Sequence, residues 1–87
     1  MNTFKNKLLS FPENSFYAFY KNEKYLVTKQ TLLNGKLIKF YAECLSKIDI
    51  VSANYYVFIK NGLLKPCEMS DEKVINFVNF VEIETAV

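Results

Sequence analysis

Eighty-seven residues, 51% apolar and 16% aromatic, are enough for one domain with a single core and little excess, since roughly 60–65% of the unfolded surface is buried at this length. All eleven basic residues are Lys, and the chain has no Arg, His or Trp. Without His there is no Ser-His-Asp or Cys-His pair and no imidazole metal ligand; without Arg there is no bidentate fork for phosphate, carboxylate or guanine. The net charge of +2 is too small to point to a nucleic-acid or anionic-membrane partner on its own.

The charge is unevenly spread. Residues 1–65 carry ten Lys against Glu13, Glu23, Glu43 and Asp49, whereas residues 66–87 carry Lys73 against Glu68, Asp71, Glu72, Glu82 and Glu84. An acidic helix docked on a weakly basic sheet accounts for this pattern. No apolar run approaches the ~18–20 residues of a membrane span, and no signal-peptide core follows the first residues. A cytoplasmic protein with no membrane partner is therefore expected. Cys44 and Cys67 are too few for a disulfide framework or a zinc site, and no cofactor is expected.

In chain order, Phe4, Leu8 and Phe11 fall at helical spacing with Lys5 and Lys7 between them. This predicts a short helix over 3–11, with Thr3 as a cap and Pro12 as the stop. Residues 15–45 read as a three-stranded meander. Leu33-Asn34-Gly35-Lys36 is a strong hairpin signal, because a type I′ turn needs positive φ at both central residues. A two-residue loop there pairs Thr31 with Ile38, Lys29 with Phe40, Val27 with Ala42 and Tyr25 with Cys44. An earlier turn at Asn22-Glu23 sets Tyr20 against Tyr25, Ala18 against Val27 and Phe16 against Lys29.

One face of the meander then carries Phe16, Ala18, Tyr20, Tyr25, Val27, Ile38, Phe40, Ala42 and Cys44, and is the core face. The other carries Thr28, Gln30, Lys39 and Glu43, but also Tyr17, Phe19, Leu26, Leu32, Leu37 and Tyr41. That face is too apolar to be simply wet. Either the sheet curls into a barrel-like shape or the face meets a partner.

Residues 48–66 read as a hairpin. A strand over 48–59 sends Val51, Ala53, Tyr55, Val57 and Ile59 to one side and Ser52, Asn54, Tyr56 and Phe58 to the other, with Asp49 at its end. Asn61-Gly62 turns the chain into Leu63-Leu64-Lys65, a short edge strand that Pro66 ends because it lacks a donor. Residues 70–83 form the best helix, its body over 71–82. Ser70 is the N-cap, Asp71 and Glu72 answer the dipole, and Met69 can staple onto Val74. Val74, Phe77, Val78 and Val81 make an apolar stripe that Ile75 and Phe80 widen, with Asn76 and Asn79 on the wet side. Thr85-Ala86-Val87 are expected to fray.

Three candidate sites emerge. Cys67 lies near a helix N-terminus that favours thiolate, with Glu68 beside it acting the other way. The expectation is a buried structural thiol; the alternatives are a reactive or redox-sensing thiol, a catalytic nucleophile, or the lip of a site built with Tyr56 and Phe58. Glu68, Asp71 and Glu72 lack the spacing of a calcium loop, and helix-end electrostatics explains Asp71 and Glu72. The exposed aromatics Tyr17, Phe19, Tyr41, Tyr56 and Phe58, with Lys39 and Lys65 among them, suit a protein-binding or self-association surface. They also resemble a stacking platform for single-stranded nucleic acid, although no RNP-type motif is present.

Gly62-Leu63-Leu64-Lys65-Pro66-Cys67-Glu68-Met69, followed by Lys73-Val74-Ile75 and Phe77, resembles the C-terminal part of a family of small bacterial proteins of about this length. So does Gly35-Lys36-x-x-Lys39-x-Tyr41-Ala42-Glu43, followed by Ser52-Ala53-Asn54-Tyr55-Tyr56. The likeness spans most of residues 25–80 and implies no established activity. Some members carry a methionine-sulfoxide-reductase label, but this chain has neither the Gly-Cys-Phe-Trp nucleophile motif of one reductase class nor the zinc cysteines and Arg-x-Cys-x-Asn of the other. No such activity passes to Cys67. The expected fold is α+β: a short N-terminal helix, a five-stranded curled antiparallel sheet and a C-terminal helix packed on it. The expected role is a non-enzymatic binding or accessory protein meeting a protein partner or a second copy of itself.

Overall fold

Two helices lie on one face of a curled antiparallel sheet in the computed structural model, which describes residues 2–60 and 62–84. The chain runs α1 (Asn2–Ser10), β1 (Asn14–Tyr20), β2 (Glu23–Leu32), β3 (Leu37–Cys44), β4 (Ile50–Tyr56), β5 (Leu63–Pro66), α2 (Asp71–Phe80) and β6 (Glu82–Ile83). The strand order is β5-β4-β3-β2-β1-β6. The fold class is the expected α+β, with one strand more than the five read from the sequence.

The sixth strand comes from the tail of the C-terminal helix. That helix ends at Phe80, because Val81 turns extended (φ −68°, ψ 143°) while its N–H still donates to the Phe77 carbonyl. Glu82–Ile83 then pairs with Phe19 and Ala18 of β1, and the Glu84 N–H donates to the Tyr17 carbonyl at 2.9 Å. The apolar–acidic alternation Val81-Glu82-Ile83-Glu84 was the local signal for it. Residues 85–87, expected to fray, lie outside the described residues. At the other end α1 already includes Asn2, so Thr3 is inside the helix rather than its cap.

The β2–β3 register is the expected one, residue for residue. Asn34 and Gly35 have positive φ, and the Lys36 N–H donates to the Leu33 carbonyl. Leu33 also has positive φ, at 54°, so the ladder stops at Leu32 and Leu37 and the loop has four residues instead of two. The β1–β2 turn is at Lys21-Asn22, both at positive φ, not at Asn22-Glu23. The pairs are therefore Ala18 with Tyr25 and Phe16 with Val27. A shift of one residue in the turn moves the pairing by two, which leaves every side chain on its expected face.

β4 is shorter than expected, pairing Tyr56 with Leu63 and Ala53 with Pro66, so Val57 to Gly62 form the connection. Asn61 lies outside the described residues. Gly62 is required twice over: its φ is 74°, and a Cβ there would fall on the Tyr55 hydroxyl. Pro66 ends an edge strand, as expected.

The core is aromatic. Phe77 of α2 meets Tyr20 at 4.9 Å, Tyr25 at 5.0 Å and Phe40 at 5.8 Å between ring centroids. Phe11 meets Phe16 and Phe40, and Phe4 of α1 meets Tyr55 edge-on at 5.6 Å. The tilted and T-shaped geometries suit the ring quadrupoles. Ser70 caps α2 by accepting from the Lys73 N–H, and Val74, Phe77, Val78 and Val81 are buried. Phe80 does not widen that stripe; it is 70% exposed, and Asn79 is half-buried instead of wet.

Lys29 is on the core face and only 5% exposed. Its Nζ donates to the Leu9 and Phe11 carbonyls at 3.1 and 2.9 Å, capping the end of α1. Burial pulls its pKa below the ordinary lysine value, with the Glu13 carboxylate opposing. Lys7 of α1 caps α2 in the same way, donating to the Asn79 and Val81 carbonyls. Each helix C-terminus, where carbonyls lack intrahelical partners, thus receives an ammonium from another element.

Candidate functional site

With both helices on the inner face, the outer face of the sheet is bare. Alternation along each strand sets what it carries, and the ladder aligns it in rows across the sheet. A central row runs Ser15, Thr28, Tyr41, Ser52, and the Cys67 N–H extends it by donating to the Ser52 carbonyl at 3.0 Å. On one side lies the row Gln30, Lys39, Asn54, Lys65, then Leu32, Leu37, Tyr56, Leu63. On the other lies Tyr17, Leu26, Glu43, Ile50, then Phe19 with Lys24.

Six of the seven residues expected at an interaction surface, Tyr17, Phe19, Tyr41, Tyr56, Lys39 and Lys65, are on this face. Tyr17, Phe19 and Tyr41 are 45%, 40% and 42% exposed. They are spread over the sheet: Tyr17 and Tyr56 stand toward opposite corners, with Tyr41 between them. Phe58 is past the end of β4, its ring edge-on to Tyr56 at 6.2 Å. Exposed Ile50 and Leu45 also belong to the surface, and the sequence reading did not single them out.

Charge on this face is balanced. Lys24, Lys39 and Lys65 stand against Glu43, Glu82 and Glu84. Lys24 is bound on both sides: its Nζ lies 3.2 Å from Glu84 Oε1 and 4.6 Å from the Tyr17 ring centre. It anchors β6 to β2 while covering an aromatic ring.

Cys67 is exposed, not buried. It follows Pro66 at the sheet edge and aligns with Ser52 on the outer face. It borders a shallow groove of about 310 Å³ lined by Thr28, Lys39, Tyr41, Ser52 and Asn54. The groove belongs to the Tyr41 row, and neither Tyr56 nor Phe58 lines it. Cys44 is buried on the opposite, helix-facing side, so the two thiols have no route to each other through the sheet. Burial pushes the Cys44 thiol up, but hydrogen bonds to the Ser46 hydroxyl and to the Ser46 and Lys47 backbone outweigh it and leave the net shift downward. Among the described residues, no group of three or more Cys, Asp or Glu is placed to hold a metal ion.

A polar constellation that the sequence reading did not assemble sits where β2, the β3–β4 connection and α2 meet. The Tyr25 hydroxyl donates to Asp49 Oδ2 at 2.5 Å, and Lys73 Nζ lies 2.9 Å from Asp49 Oδ1. Burial and then the Asp49 carboxylate push the Tyr25 pKa far up, so its hydroxyl stays protonated. Burial raises the Asp49 pKa, but the Tyr25 and Lys73 hydrogen bonds and the Lys73 charge lower it further, and the net is below the usual carboxylate value. Tyr20, Lys21 and Lys47 complete an open depression of about 440 Å³ around them. Among the described residues Asp49 is the only carboxylate lining it, and it is already engaged by both partners. The cluster therefore reads as a lock between sheet and helix.

Among the described residues no helix is long and apolar enough to cross a membrane. No protein-family model matches the chain, and neither a curated protein nor a solved structure matches it.

Proposed function

We propose that this chain is a small protein-binding or accessory module, working without catalysis, whose outer sheet face meets the partner. The observation that carries the reading is a sheet with both helices on one side and Tyr17, Phe19, Tyr41, Leu45 and Ile50 exposed on the other. An antiparallel sheet with one wet face normally alternates cleanly into polar residues, and this one does not. Tyr and Phe are the side chains that interfaces favour. The balanced charge supports a protein partner over a polyanion, since a single-strand-binding groove needs unpaired cations along its length. Thiol chemistry at Cys67 has exposure in its favour, but no imidazole or second thiol shares its face.

Photo-crosslinking in the source cell tests the reading. A benzoylphenylalanine in place of Tyr41 is expected to give a defined crosslinked protein product. The same group in place of Leu9, 46% exposed on α1 at the helix side, is expected to give none. Equal products from both positions, or none from position 41, would sink the proposal.

A further inference from the structure

Building on that reading, we infer that the occupant of the outer face is a second copy of this chain, packed face to face about a twofold axis along the Tyr41 row. The outward residues along β3 and its continuation are Leu37, Lys39, Tyr41, Glu43 and Leu45. The Leu45 N–H donates to the Lys24 carbonyl at 2.9 Å, so the ladder reaches that far. The run is self-complementary when reversed. Lys39 and Glu43 flank Tyr41 two residues away on either side, about 6.6 Å along the strand, and Leu37 and Leu45 flank it four residues away.

A twofold axis lying between two such faces, along Thr28–Tyr41–Ser52, brings Lys39 of each copy over Glu43 of the other. It also sets Tyr41 on Tyr41 and Leu37 on Leu45. This is the isologous pattern that a closed dimer requires. The axis crosses β2 and β3 near mid-strand and β1 and β4 toward one end. Because the face is charge-balanced, two copies do not repel. Each sheet residue covers about 16 Å², so the strands present a face on the order of 600 Å². Under this axis β1–β4 overlap over only part of their length and β5 and β6 do not overlap, so about 400 Å² of each copy and about 800 Å² in all is buried, the size of a weak, reversible contact.

Sedimentation velocity over a concentration series, with thermal melts to confirm folding, tests the inference. The purified chain is expected to form a reversible dimer at high micromolar concentration. Lys39→Glu and Glu43→Lys, both at exposed positions, are each expected to weaken it at least tenfold by setting like charges over one another. The double variant Lys39→Glu/Glu43→Lys is expected to recover the dimer. Mixing the two single variants is expected to give a heterodimer, because their charges are then opposite at both contacts. Dimerisation insensitive to these changes overturns the geometry. A wild-type monomer throughout overturns self-pairing; in that case a position-41 crosslink to a different protein leaves the binding-module reading standing, and no crosslink removes both.

Discussion

Asp49 binds two neighbours at once, the Tyr25 hydroxyl and the Lys73 ammonium, and so joins sheet to helix through one side chain. Its folded pKa lies below the ordinary carboxylate value. A carboxyl with a lowered folded pKa contributes stability above its unfolded pKa, and that contribution is lost as pH falls through the folded value. Lys73 is 44% exposed, so solvent screens the pair and the contribution is modest. Asp49→Asn is expected to cost about 1 kcal/mol at pH 7, by urea denaturation. The gap to wild type should begin to narrow as the pH falls below about 4 and close only below the lowered folded value. A gap that does not narrow at all in acid would mean that packing, not charge, holds the contact. Sequence reading put Asp49 at a strand end and could not see this, because its partners lie twenty-four residues away on either side.

Elements are held at their ends as much as along their faces. A helix as short as α1 is marginal alone, and Lys29 stops the last carbonyls of α1 from being orphaned in the core. Lys29→Met keeps the aliphatic stem and removes the donor. It is expected to destabilise the fold by about 1–3 kcal/mol, the usual cost of leaving buried acceptors unpaired. A chemical melt showing equal or greater stability would mean that the burial cost of the ammonium outweighs its two bonds. The pattern Val27-x-Lys29-x-Thr31 marks Lys29 for the inner face, but nothing local says that a lysine there is satisfied. Its acceptors, the Phe11 carbonyl just past α1 and the Leu9 carbonyl in its last turn, lie eighteen and twenty residues earlier.

At the scale of the whole molecule, the determining fact is asymmetry: one sheet, two helices, both on the same side. The open edges are blunted, β5 by Pro66 and β6 by its two-residue length, as suits exposed strands. The face, not the edges, is then the surface left to associate. Labelled single-stranded oligonucleotides at low salt are expected to show no change in anisotropy. A salt-sensitive rise in anisotropy would instead favour the polyanion reading, since counterion release gives that binding a steep salt dependence.

The periodicity of the chain determined which residues face inward on every strand of the meander, because alternation is a local property of extended backbone and survives an error in the turn. It also determined the β2–β3 register, through a glycine turn that only positive φ allows, and the start of α2, through the Ser70 cap. The tertiary structure decided what no local rule encodes. Val81 leaves the helix because β1 offers an open edge to Glu82–Ile83. Cys67 is exposed because the register, continued past Pro66, carries it beside Ser52 on the bare outer face. The apolar outer face stays bare because both helices are drawn to the more apolar side, where the aromatic rings around Phe77 can close on one another.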